Sequence, residues 1–409
     1  MKPMGPIPPN FIANDIGRLM IGGYDVEALV ARAGDTPLFV YDFALIRARI
    51  AQLRCALPDG VGLHYAIKAN PMPALVNAIA PLVDGLDIAS VGEMVIARGA
   101  GASHISFAGP GKRDRELEAA ITAGVTINLE SQGEANRALN IAGRLGTVPK
   151  LAVRVNPDFD LRGSGMRMGG GAKPFGVDAD HVAGLVRRVI AAGGDWRGFQ
   201  IFAGSQSLDS EGLIETQANT LSLAAKLAGE IGAVPPLVNL GGGFGIPYFP
   251  KDRAIDLELI GSKLGEQLAK LPAGLIGTRF VIELGRYIVG EAGVYLTRIV
   301  DRKISHGQIF LVTDGGLHHQ LGASGNFGTV VRRNYPVAIA SHFGGAAEEV
   351  VNIVGCLCTP LDRLAEGIAV PQAQVGDLVA VFLAGAYGYT ASPGGFLGHP
   401  AAQELLVNA

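Results

Sequence analysis

The sequence predicts an α/β protein in which a closed (β/α)8 barrel is followed by a β-rich second domain. Three observations point there. Short apolar runs alternate with helix-length segments from about Val61 to Arg286, the runs are eight in number, and beyond about Glu291 strand-like runs continue without helix-sized spacers. Continuous apolar strands alternating with helices imply a parallel sheet covered on both faces. Eight such strands are what a closed barrel requires. An open doubly wound sheet fits the same alternation.

The strand candidates, in order, are LHYAIK (63–68), LDIA (86–89), ISFA (105–108), TINLE (126–130), KLAVRVN (150–156), GFQIFAG (198–204), LVNLGG (237–242) and RFVIEL (279–284). Between them lie PALVNAIAPLV, GEMVIARGA, RELEAAITAG, GEANRALNIAGRL, HVAGLVRRVIAAG, LIETQANTLSLAAKLAGEIG and LELIGSKLGEQLAKL, with apolar residues at helical spacing. Ser90 and Glu93 predict a capping box. Gly99, Gly124 and Gly232 stand where helices should stop. TPLFVYDFALI (36–46) reads as a strand leading into a helix. The later runs GVYLTRIVDRKI, GQIFLVTDGG, EVVNIVGCLC and DLVAVFLAGAY have strand character. The expected division is an N-terminal segment, 1–40, joining the β domain, a barrel over 41–285 and a C-terminal β domain over 286–409.

Composition narrows the function classes. The chain has 409 residues, is 48% hydrophobic and 17% charged, and contains 58 glycines, a dense globular composition. Its net charge of -3 and the lack of a basic stripe predict neither nucleic-acid nor membrane binding. No apolar run approaches the ~18 residues of a membrane span, and the proline-broken start MKPMGPIPPNFIAND does not read as a signal peptide. The three cysteines, Cys55, Cys356 and Cys358, are too few and odd for a disulfide framework, so a reducing cytoplasm is expected.

In such barrels the chemistry sits at the C-terminal ends of the strands. Lys68 ends the first strand in HYAIKANP, where an apolar wall favours an amine that forms imines; a solvated strand-end lysine is the plain alternative. NLGGGFG (239–245) follows the seventh strand, and Gly241, Gly242 and Gly243 let an anion approach backbone N–H groups. ELGRY (283–287) closes the eighth. Its Glu283 suits a cationic ring nitrogen and its Arg286 a phosphate, with Gly285 between them, unless the two charges form a local ion pair. In FAGSQ (202–206) Ser205 can donate to phosphate, and Phe202 suits either a flat ring or ordinary packing. Arg154, in RVN, needs a carboxylate or a cofactor oxygen if buried. In the second domain Cys358 is a candidate proton donor or a small buried hydrophobe. Tyr387, in AGAYG, reaches a phosphate or packs. Arg332 and Arg333, ahead of Tyr335, are candidates for a substrate carboxylate or an acidic partner, or a solvated pair. His318 and His319 are adjacent, with no partner at ligand spacing, and no metal site is expected.

Together, YAIKANP, DIASVGE, FAGPGK, RVNP, GSQ, NLGGGFG, ELGRY, VGCLC and GAYG resemble, in the family's order, the group-IV, fold-type-III pyridoxal-phosphate decarboxylases, which include diaminopimelate and ornithine decarboxylases. The resemblance covers nearly the whole chain. It implies an alanine-racemase-like barrel with a β domain, pyridoxal 5'-phosphate as cofactor, and a head-to-tail homodimer with shared active sites. It implies that Lys68 carries the cofactor and that Gly241, Gly242, Gly243, Ser205, Arg286 and Tyr387 bind its phosphate. Glu283 is then paired with the pyridine nitrogen, and Cys358 reaches the neighbouring subunit's site. Two positions depart from the family. Phe202 replaces a histidine stacked on the ring, and Thr359 replaces the acidic residue that follows the cysteine and recognises a distal amino group. Without that carboxylate a distal ammonium loses roughly 2–5 kcal/mol. With CTP, the loop GSGMRMGGGAKPFGVD, DGGLHH, NYP and GGFLGHP, the chain is most similar to the branch of butirosin-type glutamyl-[acyl-carrier-protein] decarboxylases and exosortase-associated decarboxylases. The implied activity is decarboxylation of an α-amino acid or carrier-bound aminoacyl group in a bacterial biosynthetic pathway, with Arg332, Tyr335 and Thr359 toward the substrate. Diaminopimelate decarboxylation, racemisation and a non-catalytic cofactor carrier are the alternatives.

Overall fold

The computed structural model describes residues 1–325 and 332–409. They divide into two compact units, one of residues 49–246 and 254–287, the other of residues 1–48, 247–253 and 288–409.

In the first unit eight parallel strands close on themselves: β1 (Val61–Ala66), β2 (Gly85–Ile88), β3 (Ile105–Phe107), β4 (Thr126–Leu129), β5 (Lys150–Asn156), β6 (Asp195–Ile201), β7 (Leu237–Asn239) and β8 (Arg279–Leu284). Each pairs with the next, and β8 returns to β1 with Glu283 registered on His64. That closing pair excludes the open doubly wound sheet. Helices cover the outside because their apolar stripes need a partner. In Gln132–Leu145, for example, Ala135, Ala138, Ile141 and Ala142 are buried. Ser131 caps its start by accepting from Glu134 N at 3.0 Å, and Gly146 ends it at φ 64°.

Local signals hold with small shifts. Ser90 Oγ accepts from Glu93 N at 3.1 Å, but the Glu93 carboxylate reaches back to Ala89 N, at 2.7 Å, one residue beyond the capping-box position. Helix Val91–Gly99 runs through Gly99, and the left-handed residue that follows is Gly101. The helices before Gly124 and Gly232 stop as expected, at Thr122 and Ile231, and both glycines are left-handed. Strand β1 ends at Ala66, and Lys68 rides on the 3-10 turn Ile67–Ala69, where Ile67 and Ala69 are buried and Lys68 is exposed.

The second unit is built on an eight-stranded sheet. Its long strand Gly293–Ser305 pairs antiparallel with Leu38–Asp42, Leu378–Phe382 and Gln308–Thr313. Leu38–Asp42 also pairs in parallel with Gln403–Val407, so chain segments from both ends of the sequence lie side by side. Glu349–Val354 and Arg363–Val370 extend the other edge. Leu38, Phe39, Leu296, Val379, Val381 and Phe382 are fully buried here, each contributing about 1.5–3 kcal/mol. No helix among the described residues is long and apolar enough to cross a membrane.

Candidate active site

A cavity of about 360 Å³ opens at the C-terminal ends of the barrel strands, lined among others by Lys68, Asp87, Arg154, Gln200, Phe202 and Glu283. A larger one, of about 470 Å³, lies at the opposite ends of the strands around Gly60, His104, Arg197 and Arg279. It contains none of the candidate residues and sits at the face that serves stability in barrels of this kind.

The strand pattern sets a layer of buried polar side chains between the two cavities. β1, β2, β4, β6, β7 and β8 each bury one: His64, Asp87, Asn128, Gln200, Asn239 and Glu283. Asp87, Gln200 and Glu283 line the first cavity, and His64, Asn128 and Asn239 line the second. Gln200 is registered with Arg154 on one side and with Asn239 on the other. Gln200 Nε2 and Asn239 Nδ2 both donate to Glu283 Oε2, at 2.6 and 2.8 Å. Burial lifts the Glu283 carboxyl above its ordinary range, the Asp87 charge adds to the lift, and Lys68 opposes it. Two neutral amides hold the carboxylate but do not neutralise it, so a cation placed against it is stabilised.

Asp87 Oδ1 faces His64 Nδ1 at 3.3 Å, while Asp87 Oδ2 is buried with no hydrogen-bond partner among the described residues. Lys68 Nζ stands 5.5 Å from the centroid of the Phe202 ring. Of the two partners expected for Arg154, a carboxylate or a cofactor oxygen, the chain itself supplies the first: Arg154 donates to Glu130 Oε1 at 3.1 Å, with its guanidinium carbon 5.0 Å from the centroid of the Phe175 ring. Lys112 is buried and donates to Gly109 O, Asn128 O and Glu134 Oε1 at 2.6, 2.9 and 2.7 Å.

The glycine loop is packed so that only glycine fits. Gly241 and Gly243 have φ of 73° and 84°. A Cβ at Gly241 would lie 2.5 Å from Ile201 O, one at Gly243 2.5 Å from Gly204 O, and one at Gly242 would strike Glu283 O. Asn239 Oδ1 accepts from Gly241 N at 2.9 Å, and Gly241 O accepts from Glu283 N at 2.9 Å. The loop is thereby tied to the strand that carries the carboxylate.

Residues 43–290 match the model of the family described as pyridoxal-dependent decarboxylase, pyridoxal binding domain. The chain belongs to this family. It is 36% identical over 392 residues to the L-glutamyl-[BtrI acyl-carrier protein] decarboxylase of Niallia circulans, covering 93% of this chain and 91% of that protein. It is 32% identical over 406 residues to the diaminopimelate decarboxylase of Aquifex aeolicus, covering 96% and 91%. Among solved structures, Helicobacter pylori diaminopimelate decarboxylase complexed with L-lysine superimposes with a TM-score of 0.82 at 25% identity, covering 94% of each chain. This decarboxylase is thus a carboxy-lyase that uses pyridoxal phosphate on an amino-acid substrate.

The barrel residues fit that cofactor. An uncompensated buried carboxylate suits a protonated ring nitrogen, the Phe202 face suits a flat ring, and the unpartnered Asp87 Oδ2 and exposed Lys68 amine open on the same cavity. Of the sequence candidates, Lys68, Arg154, Phe202, Ser205, Gly241, Gly242, Gly243, Glu283, Gly285 and Arg286 belong to the barrel unit, and Arg332, Tyr335, Cys358, Thr359 and Tyr387 to the β unit. In the latter, Cys358 is exposed, and Thr359 Oγ1 accepts from Leu361 N at 3.3 Å. Arg332 donates to Arg363 O at 2.5 Å, and Arg333 lies 3.5 Å over the Phe249 ring. Tyr335 packs on Tyr248, ring centroids 4.9 Å apart. Sequence reasoning did not single out His64, Asp87, Gln200 or Asn239. The signal was available: a lone polar residue inside an apolar barrel strand.

Proposed function

We propose that this decarboxylase removes the α-carboxylate of an amino acid whose side chain ends in a neutral or carrier-linked group, glutamyl-like, as a homodimer in which Cys358 serves the neighbouring subunit's site. The observation that carries the substrate reading is Thr359, a half-buried hydroxyl beside Cys358 that accepts a backbone N–H and carries no counter-charge for a distal ammonium. The 36% identity to a glutamyl-[acyl-carrier protein] decarboxylase supports it.

When bound, the cofactor supplies an electron-withdrawing ring that takes up the electron pair left as carbon dioxide departs. The chain's own residues do the rest. Lys68 would hold the cofactor by its amine, and a substrate amine taking its place would leave the Lys68 amine free beside the site. Glu283, fixed by Gln200 and Asn239, keeps the ring nitrogen protonated. Phe202 covers one ring face, and Gly241, Gly242, Gly243, Ser205, Arg286 and Tyr387 hold the phosphate, with Gly285 allowing the close turn. Phenylalanine at 202 gives the flat face without a titratable nitrogen. Cys358 or Lys68 returns a proton to the α-carbon. Arg332 and Tyr335 bear on the substrate, and Arg333 offers positive charge to an acidic carrier.

Carbon-dioxide release from free amino acids and from glutamyl and related aminoacyl-carrier proteins, with diaminopimelate as control, tests the substrate. Turnover confined to carrier-bound or neutral-ended substrates is expected; preference for free diaminopimelate would overturn it. Lys68→Ala is expected to abolish the absorbance of lysine-linked cofactor, and survival of that band removes Lys68 from its role.

A further inference from the structure

In the β unit three loops bring together side chains to which no role is assigned above. His318 follows strand Gln308–Thr313, Cys356 follows strand Glu349–Val354, and His399 precedes strand Gln403–Val407. One ligand atom from each lies within 4.8 Å of the others. The Cys356 sulfur stands 3.7 Å from His399 Nδ1 and 3.9 Å from Nε2. His318 is fully buried, and neither of its ring nitrogens has a hydrogen-bond partner among the described residues. A buried imidazole with two unsatisfied nitrogens needs an explanation. We propose that His318, Cys356 and His399 bind one thiophilic divalent cation of the zinc class.

Two imidazoles and a thiolate are the donors such ions select, whereas magnesium and calcium require oxygen cages. Tetrahedral bonds of zinc to sulfur and nitrogen place those two atoms about 3.5 Å apart, close to the Cys356–His399 spacing. Three protein ligands leave a fourth position for water. On binding, the Cys356 thiol proton, which now lies toward Asp314 O at 3.4 Å, is released to solvent and the sulfur–metal bond takes its place.

The surroundings hold the donors ready. Asp362 accepts from Leu317 N at 2.7 Å and from Leu357 N at 2.8 Å, the neighbours of His318 and Cys356. His319 Nε2 donates to Pro400 O at 2.8 Å, fastening the residue after His399 to the one after His318. Such supporting bonds orient ligands in metal sites. His399 and Cys356 are half-buried, which leaves an entry path. Cys358 lies two residues beyond Cys356, so the ion fixes the turn that presents it.

The test is a titration of chelator-treated, cofactor-loaded enzyme with zinc by calorimetry and with cobalt by absorbance. One ion per chain is expected, with a sulfur-to-cobalt charge-transfer band. Cys356→Ser should abolish that band, and both Cys356→Ser and His399→Gln should weaken binding at least about tenfold, while Cys55→Ser leaves binding intact. The His399 variant alters a half-exposed side chain and so separates ligand loss from misfolding. Absence of saturable binding, a band that persists in Cys356→Ser, or one lost in Cys358→Ser instead, would overturn the proposal.

Discussion

Lys112 offers the sharpest test of how the barrel is held together. Its ammonium and the Glu134 carboxylate are both 2% exposed and lie 2.7 Å apart, and the remaining Lys112 donors go to two backbone carbonyls. Lys112→Met keeps much of the stem but strands a buried carboxylate and two carbonyl oxygens. Breaking a buried pair by removing one partner costs about 3–5 kcal/mol, and that loss is expected at neutral pH by urea unfolding. The pH dependence follows from Glu134. Burial raises its carboxyl above 4.5, while Lys112 is the largest opposing influence. A carboxyl raised by folding favours the folded state at low pH, and that advantage disappears as pH rises through the folded value. Removing Lys112 raises the carboxyl further, so the destabilisation should shrink as pH falls toward 4.5. The double variant Lys112→Met/Glu134→Leu should recover most of the loss, because a packed apolar pair can match a buried ionic one. A single-variant loss under about 1 kcal/mol, the range of exposed pairs, or one unchanged with pH, refutes the reasoning.

Three further outcomes follow from the site. Glu283→Gln should lower kcat by about 10²-fold or more while the cofactor stays bound, read from carbon-dioxide release beside cofactor absorbance; parental turnover would separate Glu283 from the ring nitrogen. His64 is pressed down by burial, but the charge and hydrogen bond of Asp87 prevail and raise it above 6.5. Its stabilisation is therefore complete below 6.5 and is lost as pH rises through the higher folded value; Asp87→Asn should flatten that stretch of the stability curve measured by denaturation. Thr359→Glu should raise turnover of a free diamino acid relative to the parent enzyme, and an unchanged substrate ratio would detach that position from distal-group recognition.

The barrel was legible because its strands are predominantly apolar and its helices carry clear stripes, so period and count together sufficed. Boundaries were less so. Lys68 sits on a 3-10 turn beyond β1 because Ile67 and Ala69 still bury their side chains, which makes the strand look longer in sequence than it is. Gly99 reads in sequence as a stop signal, yet it is the helix's last residue, Ala100 caps it, and the left-handed turn falls on Gly101. Of the ordered motifs, those of the lysine and the glutamate carry residues that line the cavity, Lys68 and Glu283. What lies beneath them depended on register. Whether Gln200 and Asn239 share a carboxylate is decided by which residues stand opposite across the closed sheet, and no local pattern encodes that. The meeting of His318 with Cys356 and His399 is more distant still, since it joins loops separated by whole strands.

The polar residues inside the barrel run against stability. Well-packed apolar side chains in their place would be at least as stable, and a TIM-type barrel ordinarily fills its interior with branched hydrophobics. Here Gln200 and Asn239 spend their side-chain amides on one oxygen of Glu283, and Arg154 is committed to Glu130. That division leaves a single carboxylate fixed in direction but short of positive charge, beneath a cavity that also holds an exposed amine and an aromatic face. A flat cationic ring set against that carboxylate would complete the arrangement. The fixed direction of Glu283 would then set the ring's orientation before any substrate arrives, offsetting the energetic burden of the buried polar layer.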